Sequence, residues 1–218
     1  MQKIIQHSDL SKPVYQELKS MIQEGRLLPG QKLIQEQLAV QLGVSRTPLL
    51  KALQHLEHEM LVESIPRRGM YVREISVKEM IDVYDCREAV ECLAVKLIIE
   101  RSSDEELAEL LQVFAPFEGI AHIDADKYRK ADERFHDLII ELSKNPVLKR
   151  MSGVGDVHKR VYQFGLIREP KDTLAEHMKI LAAISSRDVA RAVHEIRNHI
   201  ALSKNILLEK QKSKNDKL

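Results

Sequence analysis

The chain has 218 residues, enough for one large domain or two small ones. Because 44% of the residues are hydrophobic, 31% are charged and the net charge is +1, we expect a folded protein, and a uniformly basic histone-like protein is excluded. No apolar run approaches the roughly 20 residues of a membrane span, and the start, MQKIIQHSDL, lacks the apolar segment of a signal peptide. These features predict a cytoplasmic protein with no membrane partner.

The first third of the chain predicts three helices followed by a β-hairpin. Apolar residues at helical spacing predict helices over 14–23, 35–42 and 46–58. In 61–72, the segments LVESI and MYV flank the turn sequence PRRG, which predicts a hairpin. Strand signals are concentrated in this one place.

The remainder of the chain predicts helices. Ser76 can cap a helix that runs to about Arg101, and Ser103 with Glu106 has the spacing of a capping box. Further helical patterns cover 124–143, 147–164, 172–185 and 188–210. We therefore predict a mainly α protein with domains at 1–75 and 76–212 and a frayed tail at 213–218.

The segment around Gly43 has the sequence pattern of a helix-turn-helix. Its sequence is LGVSRTP, in which Gly43 permits a sharp turn, Ser45 can cap the second helix and Pro48 fits the first turn of that helix. Such a helix can present its start to a DNA major groove, so Ser45, Arg46 and Thr47 are candidate contacts, with Lys51 further along. A helix-glycine-helix turn also occurs in proteins that bind no DNA, and the turn alone leaves both interpretations open.

The hairpin tip carries Arg67, Arg68 and Gly69. Taken alone, these residues are typical of a charged, solvent-exposed turn, in which glycine is present because it tolerates the backbone dihedral angles of the turn. Beside a helix-turn-helix, the two arginines gain an electrostatic role, because neutralising DNA phosphates provides affinity. Residues 1–72 also carry a small excess of basic over acidic residues, the sign that a DNA-binding domain needs.

Residues 14–72 resemble the winged helix of the GntR family of bacterial transcription regulators. The resemblance is carried by IQEGRLLPGQKL, LGVSRTP, ALQHLEHEMLV and PRRGMYV, in that order. It implies a homodimer on a double-stranded operator with two half-sites, the recognition helix in the major groove and the wing tip at the minor groove. Leu50 stands where the family usually has an arginine, and Met60 where a glycine is common, so operator sequences cannot be transferred from relatives.

Four residues on three predicted helices form a possible metal site. Asp132 and His136 are four residues apart on one helical face, and His177 and His199 face inward on two later helices. One carboxylate and three imidazoles suit a divalent ion and leave positions for water or a ligand. The alternative is a set of hydrogen-bonded core histidines. His194 lies about 140° from His199 on the helix and is not expected to share the ion, whereas His158 is a possible additional pocket residue.

The second domain resembles the effector domain, of the FCD type, of the FadR subfamily. The matching residues include DERFH at 132–136, the pair Glu176-His177, the later His199, and YDCR at 84–87 with Glu91. The resemblance implies an antiparallel bundle of six or seven helices, with zinc, nickel or a similar ion on the aspartate and three histidines. The acyl-CoA-binding type of member lacks this set, which argues against a fatty-acyl ligand.

Arg87 is the candidate effector-binding residue. Its planar guanidinium suits a carboxylate, and the resemblance makes it a pocket residue that holds an organic acid beside the metal. An ordinary ion pair with Glu91, four residues later, is equally compatible with the sequence.

These observations predict a homodimeric transcription regulator and not an enzyme. We expect a repressor whose DNA affinity responds to a small carboxylate metabolite bound next to zinc or nickel. One alternative is a direct metal sensor, in which the ion is the signal. Another is a metal-dependent hydrolase or isomerase, because an open His/Asp site can activate water.

Overall fold

The computed structural model describes residues 10–153 and 166–215. The chain divides into two compact units between Glu74 and Ile75. Each unit has its own cluster of buried hydrophobic residues. The architecture is mainly α-helical, with one small antiparallel sheet in the first unit. In the part of the chain that the structure describes, every helix is too short or too polar to cross a membrane.

The first unit is a three-helix cluster with a three-stranded sheet. Its elements are α1 (Ser11–Gln23), β1 (Lys32–Leu33), α2 (Gln35–Leu42), α3 (Arg46–His58), β2 (Val62–Ile65) and β3 (Gly69–Val72). The strand order is β1-β3-β2, and Val62 pairs with Val72 while Lys32 pairs with Tyr71. This is a helix-turn-helix followed by a hairpin wing, as the sequence predicts.

The core of the first unit lies where the helices meet the sheet. Leu18 on α1 and Leu49, Leu53 and Leu56 on α3 are completely buried. The alternating residues Met70 and Val72 of β3 are also buried, whereas Gly69 is exposed. Apolar residues at helical spacing in α3 and at alternate positions in β3 therefore share one core.

The second unit is a helical bundle. Its described elements are α4 (Val77–Arg101), α5 (Asp104–Gln112), a 3₁₀ turn (Ala115–Phe117), α6 (Ala125–Leu142), α7 (Pro146–Gly153), α8 (Pro170–Ser185) and α9 (Val189–Asn215). Three helices start at side-chain caps, because Ser76, Ser103 and Asp124 each accept a backbone N–H of the first turn. The Ser103–Glu106 capping box that the spacing predicts is present.

The structure differs from the sequence predictions in several local details. The two-residue strand β1 and the 3₁₀ turn carry no pattern long enough to predict. Gly69 belongs to β3 and pairs with Ile65, so the wing turn is one residue shorter than PRRG. Ser45 precedes α3 with extended backbone but makes no side-chain cap bond.

The last helix is also longer than predicted. It continues to Asn215, beyond the expected end near residue 210 and into the tail that we expected to be frayed. The segment contains Leu, Glu, Lys and Gln, which are good helix formers, and has neither glycine nor proline to stop it. Most of the predicted helix over 147–164 lies outside the described residues; α7 is its described part.

Candidate metal centre and nucleic-acid interface

The turn between α2 and α3 is built on a left-handed glycine. Gly43 has φ 65° and its N–H donates to the end of α2, while Val44 N–H reaches Ala39 O at 3.0 Å. An added Cβ at Gly43 would meet nothing within 4 Å, so the positive φ alone favours glycine there. Val44 then packs against the first core, which fixes the direction in which α3 leaves the turn.

The candidate DNA-contacting residues lie at the surface of the first unit. Ser45, Arg46 and Thr47 occupy the start of α3 and are exposed, as is Lys51 one turn later. At the wing, Arg67, Arg68 and Gly69 are exposed as well. Basic side chains at a helix start and at a hairpin tip are therefore available to a polyanion.

The structure shows the surroundings of Met60 and Leu50, the two positions at which the sequence departs from the family pattern. Met60, before the wing, has φ 56°, a conformation in which glycine is normally preferred. The preference for glycine at this position is thus a backbone requirement that this chain meets with a methionine. Leu50 is half-buried on α3, where an arginine would otherwise extend the basic surface.

The four candidate metal ligands come together in the second unit. Asp132 and His136 lie on α6, His177 on α8 and His199 on α9, and one ligand atom from each lies within 4.8 Å of the others. All four residues are buried, with His177 completely so. Asp132 Oδ1 is 3.2 Å from His177 Nε2. The structure therefore gathers the predicted set into one buried cluster.

Each histidine of the cluster has its Nδ1 held by another side chain. Glu91 Oε2 lies 2.6 Å from His136 Nδ1, Glu176 Oε2 lies 2.9 Å from His199 Nδ1, and the Tyr128 hydroxyl lies 2.9 Å from His177 Nδ1. With Nδ1 held in this way, Nε2 is the nitrogen that each ring offers to a metal. Such partners fix ring orientation and, where they are carboxylates, raise the basicity of the coordinating nitrogen.

The electrostatics of the cluster favour neutral imidazoles at His177 and His199. Burial, together with nearby cationic groups, holds the pKa of His177 well below its ordinary value. Burial also lowers the pKa of His199, although its hydrogen bond to Glu176 acts in the opposite direction. Neutral imidazole is the form that binds a metal, so these histidines need lose no proton before coordination.

Two further observations indicate that the four clustered residues could hold a divalent ion. His177 Nε2 is buried and makes no hydrogen bond, an arrangement that is costly unless another group fills the position. The donors are three imidazoles and one carboxylate, a set typical of zinc and similar transition metals.

A pocket adjoins the cluster and includes Arg87. It holds about 370 Å³ of space between its atoms, part of it open to solvent. Among its lining residues are Asp132, His136 and His199. Arg87 Nε donates to Glu91 Oε1 at 2.8 Å, and both side chains are buried. The two sequence interpretations of Arg87 are therefore compatible, because it pairs with Glu91 and lines the pocket.

Sequence reasoning missed the side chains that support the cluster. Arg168 lines the same pocket and forms a two-point ion pair with Glu176. The Tyr128 hydroxyl, which contacts His177, also accepts a hydrogen bond from the Thr173 hydroxyl at 3.0 Å. Arg168 and Glu176 are 8 residues apart, with Arg168 outside the helix that carries Glu176, and Tyr128 and Thr173 are 45 residues apart, so periodicity along one helix contains no signal for these contacts.

The sequence analysis also considered His194 and His158. His194 lies apart from the cluster, on the exposed side of α9, with its Nε2 3.4 Å from the Asn198 amide. His158 lies outside the described residues.

Comparison with known families assigns both units. Residues 82–202 match the FCD domain, and residues 10–72 match the bacterial regulatory proteins of the gntR family. The first match spans more than half of the chain and contains all four residues of the metal cluster. The second spans the helix-turn-helix and the wing.

Curated relatives and a solved structure match most of the chain. The chain is 28% identical over 190 residues to the HTH-type transcriptional regulator YdhC of Bacillus subtilis (strain 168), covering 85% of each chain. It is 28% identical over 199 residues to the HTH-type transcriptional repressor GlaR of Escherichia coli (strain K12), covering 85% of this chain and 90% of the relative. A GntR transcriptional regulator from Rhodococcus sp. RHA1 shares the fold, with a TM-score of 0.78, 21% identity and coverage of 93% and 99%.

Proposed function

Since the chain belongs to the GntR-type bacterial transcription regulators that carry an FCD domain, we propose that it is a repressor controlled by a small organic acid bound next to a metal ion. The regulator acts on double-stranded operator DNA as a homodimer in the cytoplasm. The observation that carries the proposal is the buried cluster of three histidines and one aspartate beside a pocket lined by Arg87.

The DNA-binding step is assigned to the exposed residues of the first unit. Arg46 and Thr47 at the start of α3 would reach base edges in the major groove, with Ser45 and Lys51 near the phosphates. The wing arginines would neutralise backbone phosphate close to the minor groove. Two copies of the unit in a homodimer would read two half-sites.

The sensing step is assigned to the second unit. Asp132, His136, His177 and His199 would hold zinc or nickel, which supplies an electron-accepting position for an oxygen of the organic acid. The guanidinium of Arg87 would hold the carboxylate of that acid by charge-assisted hydrogen bonds. Binding then alters DNA affinity if the bound and free pockets favour different spacings or mobilities of the two DNA-binding units.

One experiment distinguishes the proposal from its two alternatives, the direct metal sensor and the metal-dependent enzyme. It measures operator affinity under three conditions. The conditions are metal-free protein, protein loaded with zinc or nickel, and loaded protein with a series of small carboxylates. The proposal expects a carboxylate to change operator affinity in the loaded protein and to lose its effect after chelation or in Arg87→Ala. A metal sensor would respond to the ion alone, with no further response to any acid.

The enzyme alternative is tested in the same preparations. A metal-dependent hydrolase or isomerase would convert members of the carboxylate or ester series with turnover that disappears on chelation. Turnover together with an operator affinity that no acid and no metal alters would overturn the proposal. An acid response that survives in Arg87→Ala would remove Arg87 from the binding site while leaving the regulator intact.

A further inference from the structure

Arg168 and His199 share one oxygen atom of Glu176. Arg168 Nη1 donates to Glu176 Oε2 at 2.7 Å, and Arg168 Nη2 donates to Glu176 Oε1 at 2.6 Å. The same Oε2 lies 2.9 Å from His199 Nδ1. The side chains of Arg168 and Glu176 are only 11% and 16% exposed. The guanidinium therefore competes directly with a candidate metal ligand for the charge of one carboxylate.

The competition has a definite sign. A carboxylate that accepts the Nδ1–H of a coordinating histidine raises the basicity of Nε2, and a nearby negative charge also favours a divalent cation. A guanidinium on the same oxygen draws charge away from the histidine and adds a positive charge near the ion. Because the pair is largely shielded from solvent, salt screens these effects little. Arg168 should therefore lower metal affinity through Glu176.

Arg168 is also a residue of the ligand pocket. It lines the pocket together with Arg87, Asp132 and His199. An anion that enters can accept hydrogen bonds from Arg168, and these would replace part of its bonding to Glu176. The charge of Glu176 would then be directed more fully to His199.

We propose that Arg168 is a second anion-binding residue of the pocket, and that it holds metal affinity down through Glu176 until a carboxylate ligand engages it. This inference rests on the proposed function, in which the pocket binds both a metal ion and an organic acid. It adds a positioning role for Glu176 and a direct route between the two ligands. By thermodynamic linkage, the acid then tightens the metal by the same factor as the metal tightens the acid.

The test needs only zinc and does not require the organic acid to be known. The zinc dissociation constant is measured by competition with a chelating dye, without DNA or added carboxylate. Replacing Arg168 by methionine removes the positive charge and all its hydrogen-bond donors. We expect Arg168→Met to bind zinc about five- to tenfold more tightly than the wild type, and Arg168→Lys, which keeps the charge, to stay within about twofold.

A double-mutant cycle with Glu176 separates this role from a merely structural one. Glu176→Gln should weaken zinc binding by about 10-fold to 100-fold. In that background, Arg168→Met should change zinc affinity clearly less than it does in the wild type, because only the direct repulsion between the guanidinium and the ion remains to be removed. Arg168→Gln serves in the same cycle if the methionine variant does not fold.

Three results would decide against the inference. Weaker or unchanged zinc binding in Arg168→Met would contradict the predicted sign. An equal change in both backgrounds would show that Arg168 does not act through Glu176. A wild type that binds neither zinc nor nickel would instead defeat the metal part of the proposed function, from which this inference starts.

Discussion

The two units of the chain place their candidate functional side chains in opposite environments. In the first unit, Arg46 and the wing arginines project into solvent, where charge costs little and partners are unnecessary. In the second unit, His177 and its neighbours are buried, where each polar atom needs a partner. A surface that meets a large polyanion can thus be built from independent residues, whereas a buried site for a small ligand must be built as a connected set.

The difference predicts how each unit responds to mutation. Substitutions at exposed, separate positions should have nearly additive effects. Substitutions within the buried cluster should be coupled, because Asp132, Glu91 and Glu176 all contact histidines of the set. The following experiments test this contrast, from the largest expected effect to the smallest.

Loss of one cluster ligand should abolish stoichiometric metal binding. We expect His177→Ala, or the more conservative Asp132→Asn, to reduce zinc or nickel content from about one ion per chain to a small fraction, because the remaining ligands cannot close the site. Bound metal at 100 times its dissociation constant stabilises the native state by about 2.7 kcal/mol. Chelator should therefore lower the melting temperature of the wild type but not that of His177→Ala.

His194→Ala is the matched control for that experiment, because His194 is exposed on α9 and apart from the cluster. It should retain both the ion and the response to chelator. If wild-type protein refolded with excess zinc or nickel contains no stoichiometric ion, the cluster is a set of core histidines.

Arg46→Ala should weaken specific operator binding by about 1 to 3 kcal/mol, as expected for loss of a two-point contact with a guanine edge. Binding to random DNA should change much less. Lys12→Ala, an exposed basic residue on α1, controls for a general loss of charge. Equal weakening on operator and random DNA would assign Arg46 to phosphate contact instead of base recognition.

The wing arginines should show the reverse pattern. A plot of log affinity against log salt concentration has a negative slope, and the double variant Arg67→Ala, Arg68→Ala should make that slope shallower by about 2. The reason is that each arginine releases about 0.9 counterion on binding. Base preference should stay nearly constant. A salt slope equal to that of the wild type would show that the wing does not touch phosphate.

The smallest expected effect concerns the backbone before the wing. Met60 has φ 56°, so Met60→Gly should raise the free energy of unfolding of the first unit by about 0.5 to 1 kcal/mol, since glycine adopts this conformation without strain. Met60→Ala keeps the strain and should give no gain. Chemical denaturation of the three proteins measures the difference, and a stabilised alanine variant would refute the explanation.

The sequence predicts local features better than contacts between helices. The bounds of α2 and α3 follow from apolar spacing and from Gly43, and both agree with the structure. The Asp132–His136 pair is visible for the same reason, because four residues make one helical turn. The contact between Glu91 and His136 joins residues 45 positions apart and depends on how α4 packs against α6. Such packing is a property of the whole bundle, which single-helix periodicity does not encode.

Helical pattern and family resemblance together predict part of the buried site. The inward-facing positions of His177 and His199 on two predicted helices, with the effector-domain resemblance, predict their grouping, and the structure places their ring centroids 4.4 Å apart. Arg168 escaped prediction because it is on no periodic helical face; it precedes α8 in an irregular segment. Its two bonds to Glu176 join this irregular segment to the helix that follows it, eight residues further along the chain.

Helix α4 connects the pocket residue Arg87 to the start of the second unit. Arg87 lies ten residues after the helix start at Val77, which corresponds to about 15 Å along the axis. Arg73 N–H is bonded to Leu61 O in the first unit, and the Ile75 side chain belongs to the core of the second, so Glu74 alone separates these two anchored positions. A tilt of α4 by about 5° pivoting at Arg87 displaces its first residue by about 1.3 Å.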